Sequence, residues 1–201
     1  MGGRKQKFKE PLSGIYILGE GITEQYYFKH LKNLYNFNCT IRPRFSGITS
    51  FLDFGKKINE LLKGDIVIIC VFDTDVSRKN PIENDRLGRI KTKYLKNENV
   101  IFCDSFPSIE YWFLLHFITK CPHYVISKAI EVKLRKYITD YSKTTSFLEK
   151  EKWVKDMSSE IGSLSNACLL AEKNSSNEKS YSNVYKAIAK LKEGNYCDKL
   201  Y

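Results

Sequence analysis

The stretch Ile66 to Asp75, IVIICVFDTD, constrains this chain more than any other. A short run this apolar and this β-branched is a strand buried on both faces, and such strands belong to parallel sheets covered by helices. Its C-terminal end releases Asp73 and Asp75. Alternate residues of an extended segment point the same way, so the two carboxylates are expected to converge. Converging carboxylates repel unless a cation or a proton lies between them. Asp73-Thr74-Asp75 is therefore the expected centre of chemistry.

The flanking sequence supports such a sheet. Gly14 to Leu18 is a short apolar strand, turned by Gly19-Glu20-Gly21. Thr23 is placed to cap a helix on which Tyr27, Leu31 and Leu34 share a face. Thr40 to Phe45 alternates, with Ile41 and Phe45 opposite Arg42 and Arg44, and Pro43 marks it as an edge strand. Phe51, Phe54, Ile58 and Leu61 define a second amphipathic helix. Beyond Asp75, a polar loop leads to a basic helix from about Glu83 to Lys96. Val100 to Cys103 is a fourth strand, and Ser108 can cap an apolar helix from Ile109 to Ile118. Strand and helix alternate four times, the pattern of a mostly parallel four-stranded sheet flanked by helices. From Cys121 no strand is evident; Tyr124 to Tyr137, Thr145 to Cys168 and Tyr181 to Leu191 read as helices. The expected organisation is a basic arm over residues 1–13, an α/β domain over 14–120 and a helical C-terminal extension over 121–201.

In a parallel sheet all strand-to-helix turns lie along one edge, where ligands bind. Three turns here carry acids: Glu20 and Glu24 after the first strand, Asp73 and Asp75 after the third, Asp104 and Glu110 after the fourth. Carboxylate oxygens suit Mg²⁺ or Mn²⁺. Acids at helix N-termini are also favoured by the helix dipole alone, which would account for Glu24 and Glu110. With 33 Lys and Arg against 23 Asp and Glu, the net charge is +10, which suits an anionic partner such as nucleic acid, although a lysine-rich solvated surface is the plainer reading. A carboxylate-bound divalent ion in a basic protein points to phosphoryl chemistry. Arg42, Arg44, Arg78, Lys79, Arg86 and Arg89 lie in or near segments that flank the acidic edge and are candidate phosphate contacts.

Other chemistry is poorly supported. The six cysteines show no CxxC spacing and none pairs with the three histidines at zinc-ligand spacing. Gly19-Glu20-Gly21 lacks the third glycine of a dinucleotide loop, since position 24 is Glu24. Trp112 and His116, one turn apart on an apolar helix, read as core. No run approaches the ~18 apolar residues of a membrane span, and the first residues lack the apolar stretch of a signal peptide, so a cytoplasmic location away from membranes is expected.

Taken together and in order, GEGITE, FDTD and PSIEYWFLLHF resemble the RloB-like proteins of bacterial phage-defence loci, which look like members of the TOPRIM superfamily. TOPRIM is the metal-binding α/β domain of topoisomerases, primases and a class of nucleases. The resemblance runs from about Ile15 to Phe117, and SYSNVYKAIAKL is similar to the end of RloB-like chains. It implies a TOPRIM-like sheet and a role for Glu20 in acid/base work or metal binding. It implies that Asp73 and Asp75 hold Mg²⁺ or Mn²⁺, that Glu110 joins them, and that Glu24 is catalytic or merely caps its helix. No tyrosine-bearing strand-passage domain and no primase zinc module is evident. What remains is a metal-dependent nuclease that cuts DNA or RNA, including tRNA, as an effector of anti-phage defence and abortive infection. RloB-like proteins often accompany an ABC-type or AAA-type ATPase. This chain has no GxxxxGK[ST] motif, so that ATPase would be a separate partner; a homodimer is a further expectation.

Two other functions fit parts of the sequence. VFDTDV resembles the first motif of haloacid-dehalogenase-like phosphatases, with Asp73 as nucleophile, but that motif usually opens the first strand and here it follows the third. A non-catalytic partner or sensor of an ATPase is the other, against which the intact acidic set argues.

Overall fold

The computed structural model describes residues 13–42, 50–158, 163–174 and 179–194. The strand β3 (Asp65–Asp73) is the axis of a five-stranded sheet. On one side it pairs with β1 (Ser13–Gly19), which pairs in turn with β2 (Cys39–Arg42); on the other it pairs with β4 (Val100–Phe106), all in parallel. A short β5 (Tyr181–Ser182) closes the far edge antiparallel to β4, giving the order β2-β1-β3-β4-β5. The chain is thus a mostly parallel α/β sheet flanked by helices, as the alternation of patterns predicts. The fifth strand comes from the segment in which only helices are expected. Two residues that pair at an edge carry no periodic signal, so no reading of hydrophobic spacing finds them.

Side-chain parity explains how the sheet is covered. In β3, Ile66, Ile68, Cys70 and Phe72 face one core, together with Tyr16 and Leu18 of β1. Helices α2 (Phe51–Leu61) and α4 (Pro81–Tyr94) supply Phe51, Phe54, Ile58, Leu61, Leu87, Ile90 and Tyr94 to that face. The intervening Ile69 and Val71, with Ile17 and Cys103, face a second and larger core. There α1 (Ile22–Tyr35) and α5 (Glu110–Leu115) pack with the C-terminal helices α6 (Ser127–Leu134), α8 (Lys152–Met157), α9 (Leu164–Lys173) and α10 (Val184–Glu193). The C-terminal segment therefore builds, together with α1 and α5, one wall of the sheet's hydrophobic interior. Trp153 is its main anchor: its ring lies 5.2 Å from Phe113 and 6.2 Å from Tyr27, and its indole N–H donates to the Leu148 carbonyl. His116 is a core residue as expected, buried against Trp112, with Nδ1 paired to the Met157 carbonyl and burial pulling its pKa down to about 4.

Several elements depart from their predicted limits. The run expected to be a loop after Asp75 is helical: α3 (Asp75–Lys79) follows the strand directly, and Asn80 then caps α4 by accepting from the Ile82 and Glu83 amides. Pro81 at the first position of α4 is tolerated because its missing N–H would be unpaired there anyway. The expected helix over Thr145 to Cys168 is broken into α7 (Thr145–Leu148), α8 and α9. Arg44, Pro43 and the rest of residues 43–49 lie outside the described residues, as does the expected basic arm up to residue 12. Among the described residues no helix is long and apolar enough to cross a membrane.

Asp104 does not join the acids of the sheet edge. It has the parity of Val100 and Phe102 and so faces α4, where Lys91 Nζ approaches its Oδ2 at 2.8 Å. Tyr181 O–H donates to Oδ2 at 2.8 Å and Asn183 Nδ2 to Oδ1 at 2.9 Å. This carboxylate pins β5 to the sheet. Burial raises its pKa, but Lys91, Asn183 and Tyr181 outweigh that and hold it below the ordinary carboxylate value.

A group whose folded pKa is lowered stabilises above the unfolded value of about 3.9 and loses that contribution as pH falls through its folded pKa. Asp104→Asn is therefore expected to cost about 2 kcal/mol at pH 7, with the difference from wild type closing below about pH 4. Trp153→Ala should cost about 3–5 kcal/mol at any pH. Denaturant unfolding of both variants across pH checks the two expectations together.

Candidate functional site

The strand order fixes where a site can form. From β1 the chain leaves towards β2 on one side, and from β3 towards β4 on the other. The carboxyl ends of β1 and β3 thus flank the topological switch point, where open α/β sheets bind ligands. Glu20 emerges directly from β1, its amide continuing the ladder onto the Val71 carbonyl at 3.2 Å. Asp73 is the last residue of β3. Their side of the sheet is joined by Glu24, in the first turn of α1, and by Glu110, which opens α5.

The backbone at this edge is shaped for the acids. Glu24 reaches back to accept the Gly21 amide at 2.9 Å, and it is almost fully buried. A β-carbon at Gly19 would lie 3.0 Å from Glu24 Cβ, and one at Gly21 would lie 3.0 Å from Glu24 Oε2. The glycines around Glu20 thus leave the space that the second glutamate occupies. Glu20 Oε2 accepts the Asp73 amide at 3.1 Å, and Asp73 Oδ1 accepts the Ile109 amide at 2.8 Å. Three turns, after β1, β3 and β4, are therefore tied together through carboxylate–amide bonds.

The charges are poorly compensated. Burial pushes Asp73 well above the ordinary carboxylate range, and the charges of Glu24, Glu110 and Glu20 add to it, with Lys143 opposing. Burial likewise raises Glu24 to about 7, with Glu110 and Glu20 contributing. Glu20, at the exposed rim, is raised by desolvation and by Asp75, against the Asp73 amide. Beside Glu20 and Asp73 lies a hollow of about 80 Å³ whose walls include Phe51, Phe72, Val76 and Glu83.

Asp75 does not converge with Asp73 in the way an extended segment would require. The strand ends at Asp73, Thr74 turns at φ −108° and ψ 4°, and Asp75 begins α3. Thr74 holds this turn by donating its N–H and its hydroxyl to the Ser105 carbonyl, at 2.9 and 3.0 Å. Asp75 lies 3.8 Å from Lys79 on its own helix, and its charge is felt at Glu20. Among the described residues, no three His, Cys, Asp or Glu side chains converge to hold a metal ion.

The basic candidates are divided. Lys79 sits beside Asp75, while the Arg78 guanidinium stacks 3.6 Å from the Phe106 ring centre. Arg86 pairs with Glu83 and Arg89 with Asp85, and both line a hollow of about 380 Å³ between α2 and α4 together with Lys56 and Lys93. Arg42 ends β2, and Arg44 is outside the described residues.

Of the three residues that hold Glu110, Ser108 lies in the PSIEYWFLLHF stretch, whereas Tyr141 and Lys143 have no sequence signal. Ser108 donates to Glu110 Oε2, while Tyr141 O–H at 3.0 Å and Lys143 Nζ at 2.9 Å meet its Oε1. Tyr141 and Lys143 lie in the connection between α6 and α7, far along the chain and without a motif.

The buried glutamate at position 24 makes a pH-dependent expectation. Its folded pKa lies above the unfolded value, so folding is penalised progressively as pH rises from about 4 to 7, and the penalty persists above that. Glu24→Gln should therefore raise stability at pH 8 by up to about 3 kcal/mol and change little at pH 4, as read by thermal melting at the two pH values.

Residues 15–191 match the model of a protein family described as RloB-like protein. No match was found among curated proteins or among solved structures.

Proposed function

The chain belongs to the RloB-like protein family, and from that premise we propose that it is a metal-dependent nuclease of the TOPRIM type, hydrolysing phosphodiester bonds of DNA or RNA. The observation that carries the reading is that Glu20, Glu24 and Asp73 lie at the switch point near enough for their charges to act on one another, each carboxyl being raised by burial. Such a site lacks positive charge, and a divalent cation supplies it.

The donor set fits Mg²⁺ or Mn²⁺. These ions take hard oxygen ligands, and Mg²⁺ keeps several waters while binding one or two carboxylates, so a cage of three protein ligands is not needed. Asp73 and Glu20 would hold the ion, with Asp75 alongside. When bound, it lowers the pKa of a coordinated water and offsets charge on the phosphate. The protein's own residues do the rest. Glu20, its pKa raised by burial and its carboxylate at the exposed rim, can take a proton from an attacking water. The Asp73–Ile109 and Glu20–Asp73 amide bonds keep both carboxylates oriented. Lys79 and Arg42, near the carboxyl ends of β3 and β2, are candidates to bind flanking phosphates. A role in anti-phage defence with a separate ABC-type or AAA-type ATPase, and assembly as a homodimer, belong to the same proposal.

Purified protein with Mn²⁺ or Mg²⁺ is expected to cleave at least one of plasmid, single-stranded DNA and tRNA. Asp73→Ala should lower the rate by about 10³-fold or more, Glu20→Gln by about 10²–10³-fold, and chelator should abolish it. Equal cleavage by wild type and Asp73→Ala would overturn the assignment. A phosphoaspartate trapped at Asp73 would instead identify a phosphatase.

A further inference from the structure

Glu110 differs from the other acids of the edge in being completely surrounded by donors. It is fully buried, and it accepts from Ser108, Tyr141 and Lys143. A carboxylate with three donors around it already has its charge balanced and most of its lone pairs engaged. Its partner Lys143 is placed with unusual care. The ammonium lies 2.9 Å from Glu110 Oε1 on α5 and 3.7 Å from Glu131 Oε1 on α6, and its charge reaches Asp73.

The loop that carries Lys143 is braced on both sides. Tyr141 is buried with its ring against Phe113, Phe147 and Trp153, and its carbonyl accepts from Arg135 Nε at 3.0 Å. On the other side Ser142 and Thr144 hydroxyls meet at 2.9 Å. Yet the Lys143 side chain remains 41% exposed. An ammonium has three donors, and two carboxylates hold this one without enclosing it. A lysine fixed as a point charge, open to solvent and beside a carboxylate cluster is suited to a phosphate oxygen.

We propose that Lys143 binds the substrate phosphate at this site and that Glu110 positions it, in place of serving as a metal ligand. The inference rests on the nuclease reading but extends it to a residue outside the acidic motifs. In this arrangement Asp73 and Glu20 would hold the ion, and Lys143 would meet the phosphate from the side of α5 and α6. Burial lowers the Lys143 pKa, but Glu110, Asp73 and Glu131 outweigh it and raise the ammonium above the ordinary lysine value.

The test uses the full chain with fluorescent single-stranded DNA and tRNA as probes. Binding is measured by anisotropy in Ca²⁺ across a salt series, and cleavage is measured in Mn²⁺. Lys143→Met is expected to weaken binding about tenfold and to reduce the salt slope by about one, and to slow cleavage by about a hundredfold. Lys143→Arg should bind within about threefold of wild type. Lys128→Met removes a lysine that meets Glu131 but not Glu110 and should change nothing. Mn²⁺ affinity of Lys143→Met, read by electron paramagnetic resonance, should not fall. Thermal melting screens each variant, and Lys143→Gln replaces Lys143→Met if the latter does not fold. Lys143→Met that binds and cleaves like wild type overturns the proposal while leaving the nuclease reading intact. Weakened binding with no cleavage by any variant, wild type included, overturns the nuclease reading and leaves the phosphate site standing. No binding of either probe by wild type overturns both.

Discussion

Mutual repulsion among carboxylates at one edge of the sheet is the constraint on which the rest of the structure depends. Glu20, Glu24 and Asp73 are brought together by topology, because the ends of β1 and β3 flank the point where the chain reverses its winding. Left alone, such a cluster would be driven apart or protonated. The structure holds it with backbone amides: Gly21 on Glu24, Asp73 on Glu20, Ile109 on Asp73. These bonds fix geometry and supply partial positive charge, but not enough to return Glu24 or Asp73 to ordinary carboxylate behaviour. On the proposed reading, that unfavourable charge is what a bound cation would offset.

Two further acids show how a buried carboxylate is answered by side chains. Asp104 is answered by Lys91, Tyr181 and Asn183, and its pKa falls; it works as a clasp for β5. Glu110 is answered by Ser108, Tyr141 and Lys143. Among the described residues, Glu20 and Asp73 accept hydrogen bonds from backbone amides, and Asp73 also feels the charge of Lys143. Acids at or beyond the ends of β1, β3 and β4 thus differ according to their partners, and the side-chain partners of Asp104 and Glu110 come largely from beyond residue 121. Tyr181, Asn183, Tyr141 and Lys143 all lie beyond residue 121, so the helical segment supplies side chains to the acids as well as apolar cover.

Much of this could be read from the chain alone. The strand and helix periods, the buried character of β3 and the placement of Glu20 and Asp73 follow from apolar spacing and the geometry of parallel sheets. Other features could not be. The convergence of Asp73 with Asp75 assumed that the strand continues, whereas Thr74 bends the backbone and sends Asp75 onto a helix. Asp104 and Glu110 are close in sequence, but strand parity sends the first towards α4 and the turn after β4 sends the second towards the α6–α7 connection. The strand β5 is too short to leave a pattern. Lys143 is one of 33 basic residues, and only the folding of the α6–α7 connection against α5 sets it apart.

The most direct measurement of the central claim is anomalous diffraction from crystals grown or soaked with Mn²⁺. A peak within coordinating distance of Asp73 and Glu20, with Lys143 still paired to Glu110, is the result expected. A chain that binds no Mn²⁺ at the carboxyl ends of β1 and β3 would contradict the account, whatever its activity.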